Sequence, residues 1–414
     1  MRRSSLACWV LLAAVAFSCQ KPFYSGTPRW MRMQDRYQYF TEAPEADPQG
    51  QEETPAPPAV YVSALCFPDG TPWREGDLSG AHIVLWKDGE QVLEVPAGHY
   101  PEPDRHRVRE GHLWWDDSDG ANTFVYRDDE LLLCYPGDEI LRGLLYRDGV
   151  VYTLGQRSGG SGFSFRMNGR EVFSHSSAKV LGSFDGREWE GGALMWDGEA
   201  PCYSYALPIL GEKAGRWEYH VMQGEQLLRR IPAGETETVF DIRVWNGSVY
   251  RSEQRNAGGS SLVFVKDDQV LSLGIGEQET VHLCRLVPWE GEMLVAGFST
   301  RSNRSGYSYW FRGEKGVVRQ LESAFPLAGL YPDNPGQAAI SLEEGRVKTV
   351  WNGKRLVDIP PGEYILYTPA CSVLQDGVLY AALSQASGNS HLLLQGDQLQ
   401  PFSFNGCFTG IWIE

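Results

Sequence analysis

Basic side chains are in short supply in this 414-residue chain: 37 Lys and Arg stand against 53 Asp and Glu, a formal net charge of -16. A surface that acidic is repelled at long range by a nucleic-acid backbone or an anionic bilayer, which excludes both as the main partner. Cysteine is sparse, eight in all and never in a CxxC pair, so the spacing that builds a zinc site is missing. The eight histidines are scattered. Only His99, His106 and His112 lie close together, and their spacings of 7 and 6 miss the alternation that would put ligands on one face of a strand. They are read as surface histidines, and no metal is expected. In DDSDGAN, Asp116, Asp117 and Asp119 look like half a calcium loop, but with Gly120 as its sixth residue the first ligand position falls on Trp115. A solvated turn is the expectation there. No serine elbow, paired acid motif or phosphate loop is present, so no catalytic residue and no cofactor are nominated.

The N-terminus reads MRRSSLACWVLLAAVAFSCQ. Arg2 and Arg3 form a positive n-region, and Leu6 to Phe17 an apolar stretch too short to span a bilayer. Residues 1–18 are thus expected to be an export signal. Cys19 after Ser18 resembles the lipobox of bacterial lipoproteins, which implies a lipidated Cys19 as the mature first residue; Phe17 is bulkier than that family's usual residue. Ala16 and Ser18 also suit ordinary signal cleavage at the same bond, and secretion is the alternative. Residues 19–58 end in TEAPEADPQGQEETPAPP, a composition that cannot bury enough surface to order itself, and are read as a tether. The expected address is the bacterial cell envelope, on a membrane through the lipid, at its periplasmic or outer surface.

Residues 59–414 repeat. GLLYRDGVVYTLGQRSGGSGFSFRMNGREVFS, FDIRVWNGSVYRSEQRNAGGSSLVFVKDDQVLSL and SVLQDGVLYAALSQASGNSHLLLQGDQLQPFS share one plan: a strand, an Asp-Gly or Asn-Gly turn, a strand with Val and Tyr, a Gly/Ser loop, and a second hairpin. Two-residue turns of this kind need positive φ at both central positions, which Asn, Asp and Gly supply. The second hairpin recurs with turns at Asp88-Gly89, Asp128-Asp129, Asn168-Gly169, Gln223-Gly224, Asp267-Asp268, Gly313-Glu314, Asn352-Gly353 and Gln395-Gly396. Four strands per unit of this length make a propeller blade. The fold expected is all-β: a closed β-propeller of eight four-stranded blades, with seven as the alternative count. An open solenoid would need capping units, and none is visible.

The terminal run GCFTGIWIE matches the strand that elsewhere leads into the Val/Tyr strand, and AVYVSALCF at the start has no preceding strand. The two are expected to pair antiparallel and close the ring, removing an exposed edge. The alignment places Cys407 opposite Ser63, on the other face from Cys66, so that pair is not expected to bridge. Cys66, Cys134, Cys202, Cys284, Cys371 and Cys407 are read as buried thiols.

The hairpin-plus-loop pattern resembles kelch-like and NHL-like propellers and, more loosely, propeller lipoproteins exported by Bacteroidota. The resemblance spans residues 59–414 as architecture only: kelch's paired glycines and the WD dipeptide are absent, so no binding residue carries over. SFDGREW, Ser183 to Trp189, resembles the Asp box of sialidase-type propellers but is a residue short and lacks the Thr.

The loop after the Val/Tyr strand holds the same place in every unit, so its copies emerge on one face of a ring. They read GQRSGGSG, SEQRNAGGS, STRSNRSG and SQASGNS. Arg157, Arg255, Arg301 and Arg304 stand there on an otherwise acidic chain. Guanidinium forks among small hydrogen-bonding residues suit a carboxylate-bearing or hydroxyl-rich ligand. Gly and Ser also serve tight connections, with Arg as a solubilising residue. The expected function is a tethered binding or assembly module, monomeric, for a glycan or a protein. The alternative is a propeller-type glycoside hydrolase or lyase, which would require two ionisable side chains converging at the ring's mouth.

Overall fold

The computed structural model of the chain describes residues 58–71, 80–98, 106–157, 162–181, 183–184, 187–188, 193–209, 217–232, 238–255, 261–272, 279–289, 291–301, 306–314, 316–328 and 338–414. The export signal, Cys19, the tether and Arg304 lie outside the described residues. Among them, no helix is long and apolar enough to cross a membrane.

Seven antiparallel sheets of four or more strands make a closed β-propeller. Blade 1 consists of Gly406–Ile413, Val60–Cys66, His82–Lys87 and Glu90–Pro96, from the axis outward, and blade 2 of His106–Arg109, His112–Ser118, Asn122–Arg127 and Glu130–Pro136. Blade 3 is Glu139–Arg147, Val150–Arg157, Phe163–Met167 and Arg170–His175. In blade 4 the inner strand is split into Lys179–Val180 and Leu194–Asp197, followed by Ala200–Pro208, Trp217–Gln223 and Gln226–Ile231. Blade 5 is Thr238–Trp245, Ser248–Arg255, Ser261–Lys266 and Gln269–Ser272, and blade 6 is Glu279–Trp289, Glu292–Arg301, Tyr307–Gly313 and Gly316–Ser323. Blade 7 again has a split inner strand, Tyr364–Ile365 and Ser372–Gln375, then Val378–Gln385, Ser390–Gln395 and Gln398–Ser403.

The count of four-stranded blades is therefore seven, the alternative drawn from the sequence. Among the described residues the remaining repeat is a hairpin, Ala339–Glu343 with Arg346–Trp351, packed between blades 6 and 7. Residues 326–328 stand in for its second strand: Ala328 N–H donates to Ile340 O at 2.7 Å and Leu342 N–H to Pro326 O at 2.8 Å. Its turn is Glu344-Gly345, both with positive φ (51° and 79°), not Asn352-Gly353. Asn352 instead caps a later turn, its Oδ1 accepting from the N–H groups of Lys354 and Arg355.

The ring closes as expected. Val60–Cys66 pairs antiparallel with Gly406–Ile413, and Ala59 and Glu414 exchange backbone hydrogen bonds at 2.7 and 3.0 Å beyond them. The register differs from the expected one, by two residues at Cys407, which faces Leu65, and by three at Ser63, which faces Gly410. The pairing shifts at Ser63/Ala64, which a repeat alignment does not show. Cys66 and Cys407 still point to opposite faces and pack in different clusters, and both are free thiols. Cys134 is exposed, contrary to the expectation of burial; it sits on the outer strand of blade 2, where one face meets solvent.

Apolar clusters hold neighbouring blades together. One joins each of blades 1 and 2, 3 and 4, 4 and 5, 5 and 6, 6 and 7 (with the extra hairpin), and 7 and 1. Among the described residues no such cluster joins blades 2 and 3.

Candidate functional site

Second strands alternate faces, so residues two apart look the same way. In blades 3, 5 and 6 the inner strand carries a register shift, and the second-strand residues paired just before it are Gly155, Glu253 and Ser299. Arg157, Arg255 and Arg301 each come two residues after these and each ends its strand. The three thus occupy one position of the repeat and one rim of the ring, the rim from which the second-to-third loops leave. Arg157 is exposed, and its N–H donates to Gly162 O at 3.0 Å across the loop. Its backbone is paired with Glu139, as that of Arg301 is with Glu279.

Below Arg157 the walls between blades 2 and 3 mix polar side chains with aromatic ones, the Trp114 and Tyr146 rings lying 5.0 Å apart between centres. Glu139, 2% exposed, accepts from Arg166 Nη2 at 2.8 Å, and the Arg166 guanidinium lies 4.4 Å from the centre of the Tyr135 ring. Gly155 makes room for that carboxylate: a Cβ there would stand 2.2 Å from Glu139 Oε2. Thr123 bridges the blades, donating to Gly137 O at 2.7 Å and accepting from the Glu139 N–H at 3.1 Å. Ser118 Oγ donates to Asp138 Oδ1 at 2.7 Å. Farther out on blade 3, the Glu171 carboxyl is held below its usual range by the Ser174 and Ser164 hydroxyls, then by Arg166 and Arg157. Sequence reasoning missed this seam because its members come from seven strands of two blades; the signal available was Thr153 in GVVYTLGQ and Ser164 and Arg166 on one face of FSFRM.

The histidines expected at the surface divide. His112 is exposed and bonds Asp128 at 2.6 Å, whereas His106 and His391 are buried, which corrects the expectation. His106 Nε2 meets Thr409 Oγ1 at 2.6 Å, Ser63 Oγ meets the same oxygen at 2.7 Å, and Thr368 donates to Thr409 O at 2.6 Å. The closing strand is thereby tied to blades 2 and 7, and burial pushes the His106 imidazole down to about 4. In DDSDGAN, Asp119 Oδ1 accepts from Ala121 and Asn122 N–H at 2.8 and 2.7 Å, a turn serving itself. Ser183–Phe184 and Arg187–Glu188 form a small hairpin; Asp185, Gly186 and Trp189 lie outside the described residues.

No protein-family profile and no curated protein matches this chain. Solved structures do. A dihydro-heme d1 dehydrogenase, NirN, is 11% identical over 97% of this chain and 84% of its own, with a TM-score of 0.45. BamB from Moraxella catarrhalis is 9% identical over 76% and 96%, TM-score 0.40. A quinonprotein alcohol dehydrogenase-like protein of Bacteroides thetaiotaomicron is 12% identical over 86% and 88%, TM-score 0.32. What these proteins bind or catalyse does not transfer at such identities.

Proposed function

We propose that this protein is an extracytoplasmic binding module whose rim, carrying Arg157, Arg255 and Arg301 with Arg304 in the loop beyond, takes up a glycan without turning it over. The recurrence of arginine at one repeat position in three blades carries the reading. On a chain of net charge -16, positive charge gathered on one rim of a rigid ring gives a spaced set of donors for carboxylate and hydroxyl oxygens. A glycan array with residues 59–414 tests it, beside a variant with all four arginines changed to Ala. Losing one charge-assisted contact reduces affinity by roughly tenfold or more, so the variant's signals should fall by at least that. Equal signals from both proteins would remove the rim from the account, and released product would replace binding by catalysis. Capture of an envelope protein with no glycan signal would favour an assembly role.

The address is part of the proposal. Lipidation of Cys19 anchors the ring to a bacterial membrane, motivated by the basic, apolar, Ser-Cys order of residues 1–19. Detergent-phase partition of the full-length protein should be lost on Cys19→Ser. A variant that still partitions with unchanged mass contradicts the anchor.

A further inference from the structure

Asn-Gly pairs are chemically reactive as well as suited to turns, and the chain has four, beginning at Asn168, Asn246, Asn352 and Asn405. Glycine brings no Cβ to crowd its own backbone nitrogen, which can therefore reach the side-chain carbonyl carbon of the asparagine before it. Three of the four asparagines are tied down. Asn168 Oδ1 accepts from the Val151 N–H at 2.8 Å. Asn352 Oδ1 accepts from the N–H groups of Lys354 and Arg355, and its Nδ2 donates to Gly396 O at 3.2 Å. Asn405 Nδ2 donates to Pro68 O and Thr71 O at 2.7 and 3.0 Å. Asn246 differs: it is exposed, and among the described residues its side chain makes no hydrogen bond.

A base stands beside that turn. Asn246 and Gly247 link the inner and second strands of blade 5, with Trp245 paired to Ser248 and φ of 50° and 74° at the two turn residues. The Gly247 N–H donates to the Asp197 carboxylate of blade 4, its nitrogen 3.2 Å from Oδ1 and 3.1 Å from Oδ2, within the reach that a proton acceptor needs. We infer that Asn246 is a site of self-modification in the folded protein, its side-chain amide displaced by the Gly247 nitrogen with Asp197 as the general base. The Gly247 nitrogen bonds to Asn246 Cγ as its proton passes to Asp197, the Cγ–Nδ2 bond breaks, and the amide group leaves with that proton as ammonia. Water then opens the cyclic imide to an aspartate or to an isoaspartyl link. The ring accommodates the aspartate, since Asp148-Gly149 and Asp376-Gly377 fill the same turn in blades 3 and 7 with positive φ at both residues. Either product sets a second carboxylate beside Asp197, where the turns of blades 4 and 5 meet.

The test incubates the folded domain of residues 59–414 at mildly alkaline pH and follows it by tryptic peptide mapping. Asn246 is the only amide side chain in the peptide of residues 244–251. That peptide should gain the mass by which an acid exceeds an amide, with an isoaspartyl form resolved beside the aspartyl one, while the peptides holding Asn168, Asn352 and Asn405 stay unchanged over the same time. In Asp197→Ala the gain at Asn246 should slow by about tenfold or more, a conservative share of what a placed base contributes. In urea the four asparagines should converge on one rate. No mass gain at Asn246, or conversion of the three tied asparagines as fast as Asn246 in the folded chain, overturns the site, and that comparison needs no variant to fold. Equal rates in wild type and Asp197→Ala remove the base and the inference with it. A preference for Asn246 that survives in urea belongs to its local sequence and also overturns the inference.

Discussion

At Asp88, Asp128, Asn168 and Asp267 one side chain serves two ends. Each opens the turn between third and outer strands with φ between 49° and 55°. Each also accepts, through Oδ1, the N–H of the residue beginning or next to the start of the second strand: Val60, Leu113, Val151 or Val249. The turn chemistry legible in the sequence is therefore also a clamp between non-consecutive strands, and that half was not legible, because pairing partners far apart in the chain leave no local signature. His106 works the other way. Its burial favours the neutral ring, so the folded state binds fewer protons than the unfolded chain between pH 6.5 and about 4. Its contribution is complete above the unfolded value and is lost as pH falls through that window, by up to about 3 kcal/mol. His391 is shifted in the same direction by burial. Urea unfolding of residues 59–414 should show stability declining from pH 7 to 4.5, with a shallower decline in His106→Gln. An unchanged slope in that variant would assign the acid sensitivity elsewhere.

Elements were readable where each unit kept its period. Asp88-Gly89, Asp128-Asp129, Asn168-Gly169 and Asp267-Asp268 are turns where the sequence puts them, and Gln223, Gly313 and Gln395 each end the strand just before their turn. The reading slipped in LEEGRVKTVWNGKRL, which offers both Glu344-Gly345 and Asn352-Gly353 as turns. The alternation SLEEGRVKTV decides it, since Ile340 and Val350 must both face the shared cluster with blades 6 and 7. Inner strands were hardest to read. Those of blades 4 and 7 are interrupted by intervening residues, 181–193 and 366–371, and in blade 3 Gly143 is forced by a neighbour: a Cβ there would meet Leu194 Cβ of blade 4 at 2.4 Å. Close approach between inner strands of successive blades is a tertiary fact with no pattern of its own in either strand.

For the whole molecule, closure is what converts a row of sheets into a scaffold. Among the described residues apolar clusters join six of the seven blade junctions, and the final strand completes blade 1. The rim arginines hold fixed spacing only while that is so. The most direct measurement compares thermal unfolding of residues 59–414 with a version lacking the last eight residues, followed by far-ultraviolet circular dichroism and tryptophan fluorescence. The intact domain should unfold in one cooperative transition, and removal of residues 407–414 should expose the Val60–Cys66 edge and the blade 7 face together, abolishing that transition or producing aggregation. A truncated protein melting cooperatively at the same temperature would contradict a ring closed by its last strand on its first.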